Sequence, residues 1–338
     1  MSIESAAAQG PAPEQPPPAL HVEALSVELA VGGRLLEAVG DVSFTLERGR
    51  IRGLVGESGC GKSVTATALM GLLPQGSRVR GRAALGGIDL VTMNPTERRR
   101  VNGRRLAMIF QEPMTALHPM LTVERQLTEG LRHHLGMGRA AARERGLELL
   151  DQVGIPGARR VLYAHAHELS GGMRQRVMIA MMLACDPEVI IADEPTTALD
   201  VTIQAQILDL LEDVVRNTGT SLLLITHDLS VVAQHCDDVT VMYAGRIVED
   251  GPVGRVVHHP SHPYTAGLLA ARPRRDERQE RLSSIPGRVP TLDTMPAGCR
   301  FAPRCPRRQD QCDEAPPLAP LGEGRVRCWF PLEDVQHD

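Results

Sequence analysis

Residues 56–63 place three glycines, a lysine and a serine at the spacing of a phosphate-binding loop, G-x-x-x-x-G-K-[ST]. Glycines let the backbone curl so that successive N–H groups point at an anion, and the dipole of a following helix strengthens that field. Lys62 would reach the β- and γ-phosphates, and the Ser63 hydroxyl would ligate Mg²⁺. The alternative is a glycine-rich turn followed by an incidental lysine. The residues assigned to nucleotide binding are Gly56, Glu57, Ser58, Gly59, Cys60, Gly61, Lys62 and Ser63.

Two adjacent carboxylates, Asp193 and Glu194, follow the apolar run 189–192. In a phosphate-loop protein the first carboxylate holds Mg²⁺ through water, and the second is placed to polarise an attacking water. Burying neighbouring carboxylates without a cation is unfavourable, which favours a metal site. The alternative is a strand end with two solvated acids, and the phosphate loop elsewhere in the chain makes that reading less attractive.

Residues 169–176, LSGGMRQR, form a second glycine-containing turn at the start of a predicted helix. Ser170, Gly171 and Gly172 can bind an anion by the same physics as the phosphate loop. A single nucleotide does not need two such turns, whereas two chains facing head to tail would use both. Taken alone, the segment would be read as a helix cap with a tight turn.

Apolar strands alternate with helices along most of the chain, which predicts an α/β fold with a parallel core sheet. Two half-buried strands near the N-terminus show alternating polarity instead. Residues 112–176 have a mostly helical character, with Thr122 and Ser170 as caps, and Asp200 caps a later helix. The predicted strands cover residues 20–30, 38–46, 51–55, 80–85, 106–110, 188–192, 222–226, 239–244 and 246–249.

Composition limits the classes of function open to the chain. The formal net charge of 338 residues is −4, which gives no reason to expect a nucleic-acid partner. No apolar run reaches the ~18 residues needed to span a bilayer, and the N-terminus lacks a signal sequence, so we expect a cytoplasmic chain. Residues 1–19 are rich in Ala, Pro and Gln and are predicted to be a disordered tail.

Four of the seven cysteines lie near the C-terminus, at Cys299, Cys305, Cys312 and Cys328. The preceding segment, 272–298, resembles an irregular linker, and a region with so little apolar surface needs another organiser. Disulfides are disfavoured in a cytoplasmic chain. Structural zinc suits four thiolates but usually shows close C-x2-C pairs, and a [4Fe–4S] cluster tolerates wider spacing. Unligated thiols are the remaining alternative.

Over residues 20–255 the motifs stand in the order found in ATP-binding-cassette (ABC) ATPases, which the chain resembles. The motifs are the phosphate loop, Gln111, LSGGMRQR at 169–176, Asp193-Glu194, Ala198-Leu199-Asp200 and His227. The resemblance implies an ABC-type nucleotide-binding domain, in which an antiparallel β subdomain and a helical subdomain at about 112–176 accompany the core sheet.

The same resemblance implies a role for each motif residue. Gln111 would sense Mg²⁺ and the γ-phosphate, and Glu194 would be the general base. His227 would contact the γ-phosphate, Asp200 would communicate across a dimer, and Ser170 with Gly172 would bind the partner's nucleotide. The family usually has an aromatic residue that stacks on adenine, but residues 29–36 contain none, so Arg34 or an aliphatic side chain would have to serve.

Longer phrases resemble the ATPases of dipeptide, oligopeptide and nickel importers, in particular the D-type subunit. The phrases lie at residues 111–117, 192–202, 262–265, 285–287 and 298–305. This resemblance implies an extension at 256–338 whose four cysteines hold a [4Fe–4S] cluster, with zinc as the alternative.

The importer resemblance also implies a function and a set of partners. The chain would hydrolyse ATP to power import of peptides, or of nickel or another solute, from the cytoplasmic face of the membrane. Its partners would be an F-type ATPase subunit or a second copy of itself, two membrane-spanning permease subunits and an extracytoplasmic solute-binding protein. Residues 114–120 would receive a short helix of the membrane subunit. A soluble cassette ATPase is the rival, and it would need a long coiled coil or two cassettes in one chain.

Overall fold

A computed structural model describes residues 16–111, 117–197, 199–271 and 285–332. Its larger sheet has eight strands, and five neighbouring ones are parallel. In spatial order the strands are β11 (Ala319–Leu321), β12 (Gly324–Val326), β10 (Arg246–Pro252), β9 (Asp238–Tyr243), β3 (Ile51–Val55), β8 (Ser221–Thr226), β7 (Val189–Asp193) and β6 (Leu106–Ile109). Every residue of β3, β7 and β8 is buried, as expected for parallel strands covered on both faces. The predicted α/β architecture with a parallel core is confirmed.

A smaller antiparallel sheet has the order β2 (Arg34–Leu46), β1 (Leu20–Val31), β4 (Arg78–Leu85) and β5 (Ile88–Asp89). Its buried side chains form one hydrophobic cluster with residues of the core sheet. Ordered structure begins earlier than residue 20, because Ala19 is fully buried and its N–H donates to the Leu46 carbonyl at 3.0 Å. The assignment of residues 1–19 to a disordered tail therefore does not hold at its last residue, and 1–15 lie outside the described residues.

Helices connect the strands and fill the helical region. They are α1 (Lys62–Met70), α2 (Pro95–Val101), α3 (Val123–Leu135), α4 (Arg139–Gln152), α5 (Ala158–Leu162), α6 (Gly171–Leu183), α7 (Val201–Thr218), α8 (Leu229–His235), α9 (Val253–His258) and α10 (Pro263–Ala270). The predicted caps are confirmed, since Thr122, Ser170 and Asp200 each accept a hydrogen bond from the N–H three residues later. Along the described segments, no helix combines the length and apolarity needed to cross a bilayer.

The C-terminal extension is more regular than its sequence suggests. Strands β11 and β12 form a hairpin, and β12 pairs with β10, so the extension lengthens the core sheet. Asp250 ties the two parts together, because it accepts from Arg52 of β3 at 2.7 Å and from Arg325 of β12 at 2.8 Å. Glu249 is fully buried and accepts from the N–H groups of Ser261 and His262, which fixes the start of α10.

We expect Asp250→Ala to destabilise the protein by about 3–5 kcal/mol, because it removes the carboxylate that accepts from both Arg52 and Arg325 and leaves the buried Arg52 only Asp238, at 3.6 Å. Arg80→Ala is the matched control, since it breaks the Arg80–Glu28 pair, whose arginine side chain is 63% exposed. That change should cost no more than ~1 kcal/mol. Chemical denaturation of the purified chain measures both, and equal losses would contradict the structural role of Asp250.

Candidate functional site

The phosphate loop connects β3 to α1 at the carboxyl end of the core sheet. A Cβ added at Gly56 would lie 2.1 Å from the Met242 carbonyl oxygen, so only glycine allows the loop to start this close to β9. Gly59 and Gly61 adopt φ of 81° and 96°, in the left-handed region that favours glycine. A tertiary contact therefore requires glycine at position 56, and the conformation of the turn favours glycine at positions 59 and 61.

Lys62 lies inside the curl of the loop. Its Nζ donates to the carbonyl oxygens of Gly56 at 2.8 Å and Glu57 at 3.1 Å. Burial lowers the pKa of Lys62, and the nearby carboxylates of Asp193 and Glu194 oppose that shift. A buried ammonium at the start of a helix is arranged to meet an anion such as a phosphate chain.

Asp193, at the end of β7, is brought beside the loop. Its side chain is buried and hydrogen-bonds Ser63, while its Oδ1 atom has no hydrogen-bond partner. Burial raises the pKa of Asp193, so its carboxylate is costly without a cation. An unpartnered buried carboxylate oxygen next to a hydroxyl matches the oxygen donors that Mg²⁺ prefers. Ser63 and Asp193 therefore fit a magnesium site.

Glu194 is the centre of a second cluster, formed with Gln111 and His227. Gln111 Nε2 donates to Glu194 Oε2 at 3.1 Å, and His227 Nδ1 lies 3.4 Å from Glu194 Oε1. Thr197, which we did not single out from the sequence, also donates to Oε2, at 3.1 Å. Glu194 has φ of 46°, an uncommon conformation for a residue with a side chain, and it turns the carboxylate away from the strand direction. Four residues from three segments of the chain thus converge beside the phosphate loop.

The Ser170 turn lies at the N-terminus of α6. The Ser170 hydroxyl accepts from Met173 N, and Ser170 and Gly171 are both exposed. A Cβ at Gly172 would lie 3.0 Å from Ile203 Cγ2, so this turn packs closely on α7, whose cap is Asp200. Ser170, Gly171 and Asp200 therefore face solvent, and a second molecule can reach them.

Two further features lie outside the sequence motifs. Val31 and Leu35, on either side of the β1–β2 turn, are 49% and 37% exposed, and they are the apolar side chains available where the family's aromatic residue is missing. Glu57 of the loop pairs with Arg304 of the extension. The sequence shows the first feature only as aliphatic residues where an aromatic residue is expected. The second feature joins residues 247 positions apart and has no local signal.

The four C-terminal cysteines line one small cavity, together with Phe301, Trp329 and Phe330. Cys299, Cys305 and Cys328 each accept a hydrogen bond from the backbone N–H two residues later. Burial raises the pKa of these three thiols, and at Cys328 the pKa reaches about 11. Backbone donors aimed at sulfur stabilise thiolates, while burial disfavours them unless a cation is bound.

The spacing of the sulfur atoms discriminates between metals. Among the described residues, one group of three ligand atoms lies within 4.8 Å of one another, and it consists of Asp209, Glu212 and His235. The cysteine sulfurs are therefore more widely spread. A tetrahedral zinc site with Zn–S bonds of ~2.3 Å brings its sulfurs to about 3.8 Å from one another. No three of the four cysteine sulfurs therefore stand at the separations of a tetrahedral zinc site.

Comparison with known proteins places the chain among transporter ATPases. The profile described as ABC transporter matches residues 39–197, and the one described as oligopeptide/dipeptide transporter, C-terminal region, matches residues 248–312. The oligopeptide transport ATP-binding protein OppD of Salmonella typhimurium is 47% identical, and the match covers 99% of this chain and all of that protein. The probable D,D-dipeptide transport ATP-binding protein DdpD of Escherichia coli is 46% identical over 94% of this chain and 98% of its own.

Solved structures share the fold. A dimeric ATP-binding cassette in a post-hydrolysis state, bound to ADP and phosphate, superposes with a TM-score of 0.61 at 24% identity. The match covers 69% of this chain and 98% of that one. This likeness concerns the cassette fold.

We expect Asp193→Asn to abolish the strengthening of nucleotide binding by Mg²⁺, because the amide removes the charge that the cation needs. The measurement is ATP affinity with Mg²⁺ and with EDTA. Asp186→Asn is the matched control, since the Asp186 side chain is 74% exposed and should leave the Mg²⁺ effect unchanged. A full Mg²⁺ effect in Asp193→Asn would exclude this carboxylate as a ligand.

Proposed function

The chain belongs to the ATP-binding subunits of ABC transporters of the oligopeptide/dipeptide family, and we propose that it hydrolyses ATP to power import of peptides. The observation that carries the proposal is the convergence of Gln111 and His227 on the Glu194 carboxylate, directly beside the phosphate loop. The site therefore combines groups that bind phosphate with groups that act on water.

In this proposal Glu194 is the general base. Gln111 and Thr197 donate to Oε2 and hold the carboxylate in one orientation. Glu194 takes a proton from water, the water oxygen attacks the γ-phosphorus, and the bond from phosphorus to the β-phosphate oxygen breaks. His227, at 3.4 Å from Oε1, fixes the position of the water and contacts the γ-phosphate.

Binding rests on the loop and on the metal ligands. Lys62 and the loop N–H groups neutralise the phosphates, and the buried position of Lys62 strengthens that interaction by excluding water. Ser63 and Asp193, with Gln111 nearby, would hold Mg²⁺, which when bound supplies charge stabilisation for the transferred phosphoryl group. Catalysis requires these contacts to be stronger for the charge that develops during transfer than for bound ATP.

The exposed Ser170 turn supports a site shared by two chains. We infer that Ser170, Gly171 and Gly172 of one subunit bind the nucleotide held by the phosphate loop of the other, and that Asp200 communicates between them. The partner is an F-type ATPase subunit or a second copy of this chain. ATP favours the closed pair because its γ-phosphate contacts both sides, and hydrolysis removes that bridge.

The remaining partners follow from the transport function. Two membrane-spanning permease subunits and an extracytoplasmic solute-binding protein would complete the importer, with this subunit on the cytoplasmic face of the membrane. Within the surface at 114–120 that we predicted to receive the membrane subunit, residues 114–116 lie outside the described residues. Met120, at its end, is 78% exposed, which is unusual for a methionine and supports a contact surface there.

We further infer that Cys299, Cys305, Cys312 and Cys328 hold a [4Fe–4S] cluster. Support comes from their common cavity, from the backbone N–H donors to three of the sulfurs and from a spacing wider than zinc requires. When bound, the cluster would supply four bonds that organise a segment with few apolar contacts. Zinc is the alternative ligand.

We expect Glu194→Gln to retain ATP binding, to lower turnover by roughly 10²–10⁴-fold and to trap the closed dimer, because the amide cannot accept the proton. Equilibrium binding of ATP, steady-state hydrolysis and gel filtration with ATP measure the three effects. Glu148→Gln is the control, since the Glu148 side chain is 60% exposed. Near-normal hydrolysis by Glu194→Gln would refute its role as the base.

We expect the protein purified without oxygen to be brown and to contain about four iron atoms per chain. Cys312→Ser should lose the iron, whereas Cys185→Ser, which changes a buried cysteine outside the cavity, should keep it. Elemental analysis decides between the metals. Stoichiometric zinc without iron would contradict the cluster and support the alternative.

A further inference from the structure

The phosphate loop carries a carboxylate, Glu57, beside the place where ATP brings several negative charges. Its side chain is 31% exposed, so solvent screens it only in part. Like charges this close repel each other and would weaken nucleotide binding. A carboxylate at this position therefore requires a cation, and the loop's own lysine points to backbone carbonyls instead.

The cation comes from the C-terminal extension. Arg304 Nη1 donates to Glu57 Oε2 at 2.6 Å, and Nη2 donates to Oε1 at 3.0 Å. This is the two-pronged geometry in which arginine binds a carboxylate most strongly. The Glu57 backbone is held as well, because its N–H donates to the hydroxyl of the fully buried Tyr264 at 2.8 Å.

Arg304 has little freedom to move. Its side chain is 4% exposed, its Nε donates to the Pro286 carbonyl at 2.8 Å, and Nη2 also donates to the Ile285 carbonyl at 3.1 Å. The residue ends the short helical turn Ala302–Arg304 and directly precedes Cys305. The backbone that carries the guanidinium therefore belongs to the turn between Cys299 and Cys305, where Ala302 N donates to the Cys299 carbonyl and Arg304 N to the Phe301 carbonyl.

We propose that Arg304 is a positioning residue for ATP and that it couples the state of the cysteine site to the phosphate loop. The inference builds on the proposed function, since it concerns the same nucleotide. A metal group bound by Cys299 and Cys305 fixes the segment between them, so Arg304 neutralises Glu57. Without that constraint Arg304 releases Glu57, whose carboxylate then repels the phosphates and competes for Lys62.

The first experiment measures equilibrium binding of ATP with Mg²⁺ to the full-length chain. Arg304→Gln should weaken binding about tenfold, within the range of measured couplings between sites. The double variant Arg304→Gln/Glu57→Gln should bind ATP as tightly as Glu57→Gln alone, because the unneutralised carboxylate is gone. Arg308→Gln is the matched control, since the Arg308–Asp313 pair is exposed and lies in the same extension.

Each outcome of that experiment decides the inference. Wild-type affinity in Arg304→Gln overturns it, and so does a double variant as weak as Arg304→Gln, which would place the effect in the fold. A wild-type chain that binds no ATP contradicts the proposed function itself, whereas intact wild-type binding with an unaffected Arg304→Gln contradicts this inference alone. Thermal unfolding of every variant identifies any loss of folding.

The second experiment tests the link to the cysteines without changing Arg304. Cys305→Ser should weaken ATP binding about tenfold in the wild-type background and leave it unchanged in the Glu57→Gln background. Chelation of the metal from the wild-type chain should act in the same way. Equal effects in both backgrounds, or no effect in either, would overturn the coupling even if Arg304→Gln does not fold.

Discussion

The structure depends on burying charged groups of both signs at the carboxyl edge of the core sheet. Asp193 is buried with one oxygen unpartnered, and Lys62 is buried against carbonyl oxygens a few residues away. Both charged forms are destabilised in the absence of a ligand, because burial removes them from water. MgATP supplies the cation that Asp193 requires and the anion that Lys62 requires. Binding of MgATP therefore stabilises two charged groups, Asp193 and Lys62, that burial destabilises.

The parallel sheet is what allows this arrangement. Strands β3, β7 and β8 are wholly buried and end at the same edge, so the phosphate loop, the two carboxylates and His227 meet there. Glu194 has a left-handed backbone conformation, and its carboxylate contacts Gln111 and His227. Rigid strands thus hold the groups that act on water within hydrogen-bonding distance.

The C-terminal extension is part of this machinery and not an appendage. Its hairpin lengthens the core sheet. Its Arg325 donates to Asp250 of β10, and its Arg304 donates to Glu57 of the phosphate loop. The cysteines lie in the same segment as Arg304. The boundary near residue 255 separates two sets of sequence motifs, whereas strand pairing and ion pairs join the two parts across it.

The sequence by itself determined the elements and the chemistry they carry. Caps at Thr122, Ser170 and Asp200, the buried strands and the phosphate loop follow from local rules, because each depends on residues within a few positions. The Glu57–Arg304 pair, the β12–β10 pairing and the common cavity of four cysteines were decided only by the tertiary structure. Those contacts join segments far apart in the chain, and no local periodicity or propensity records which distant side chain will neutralise a given charge.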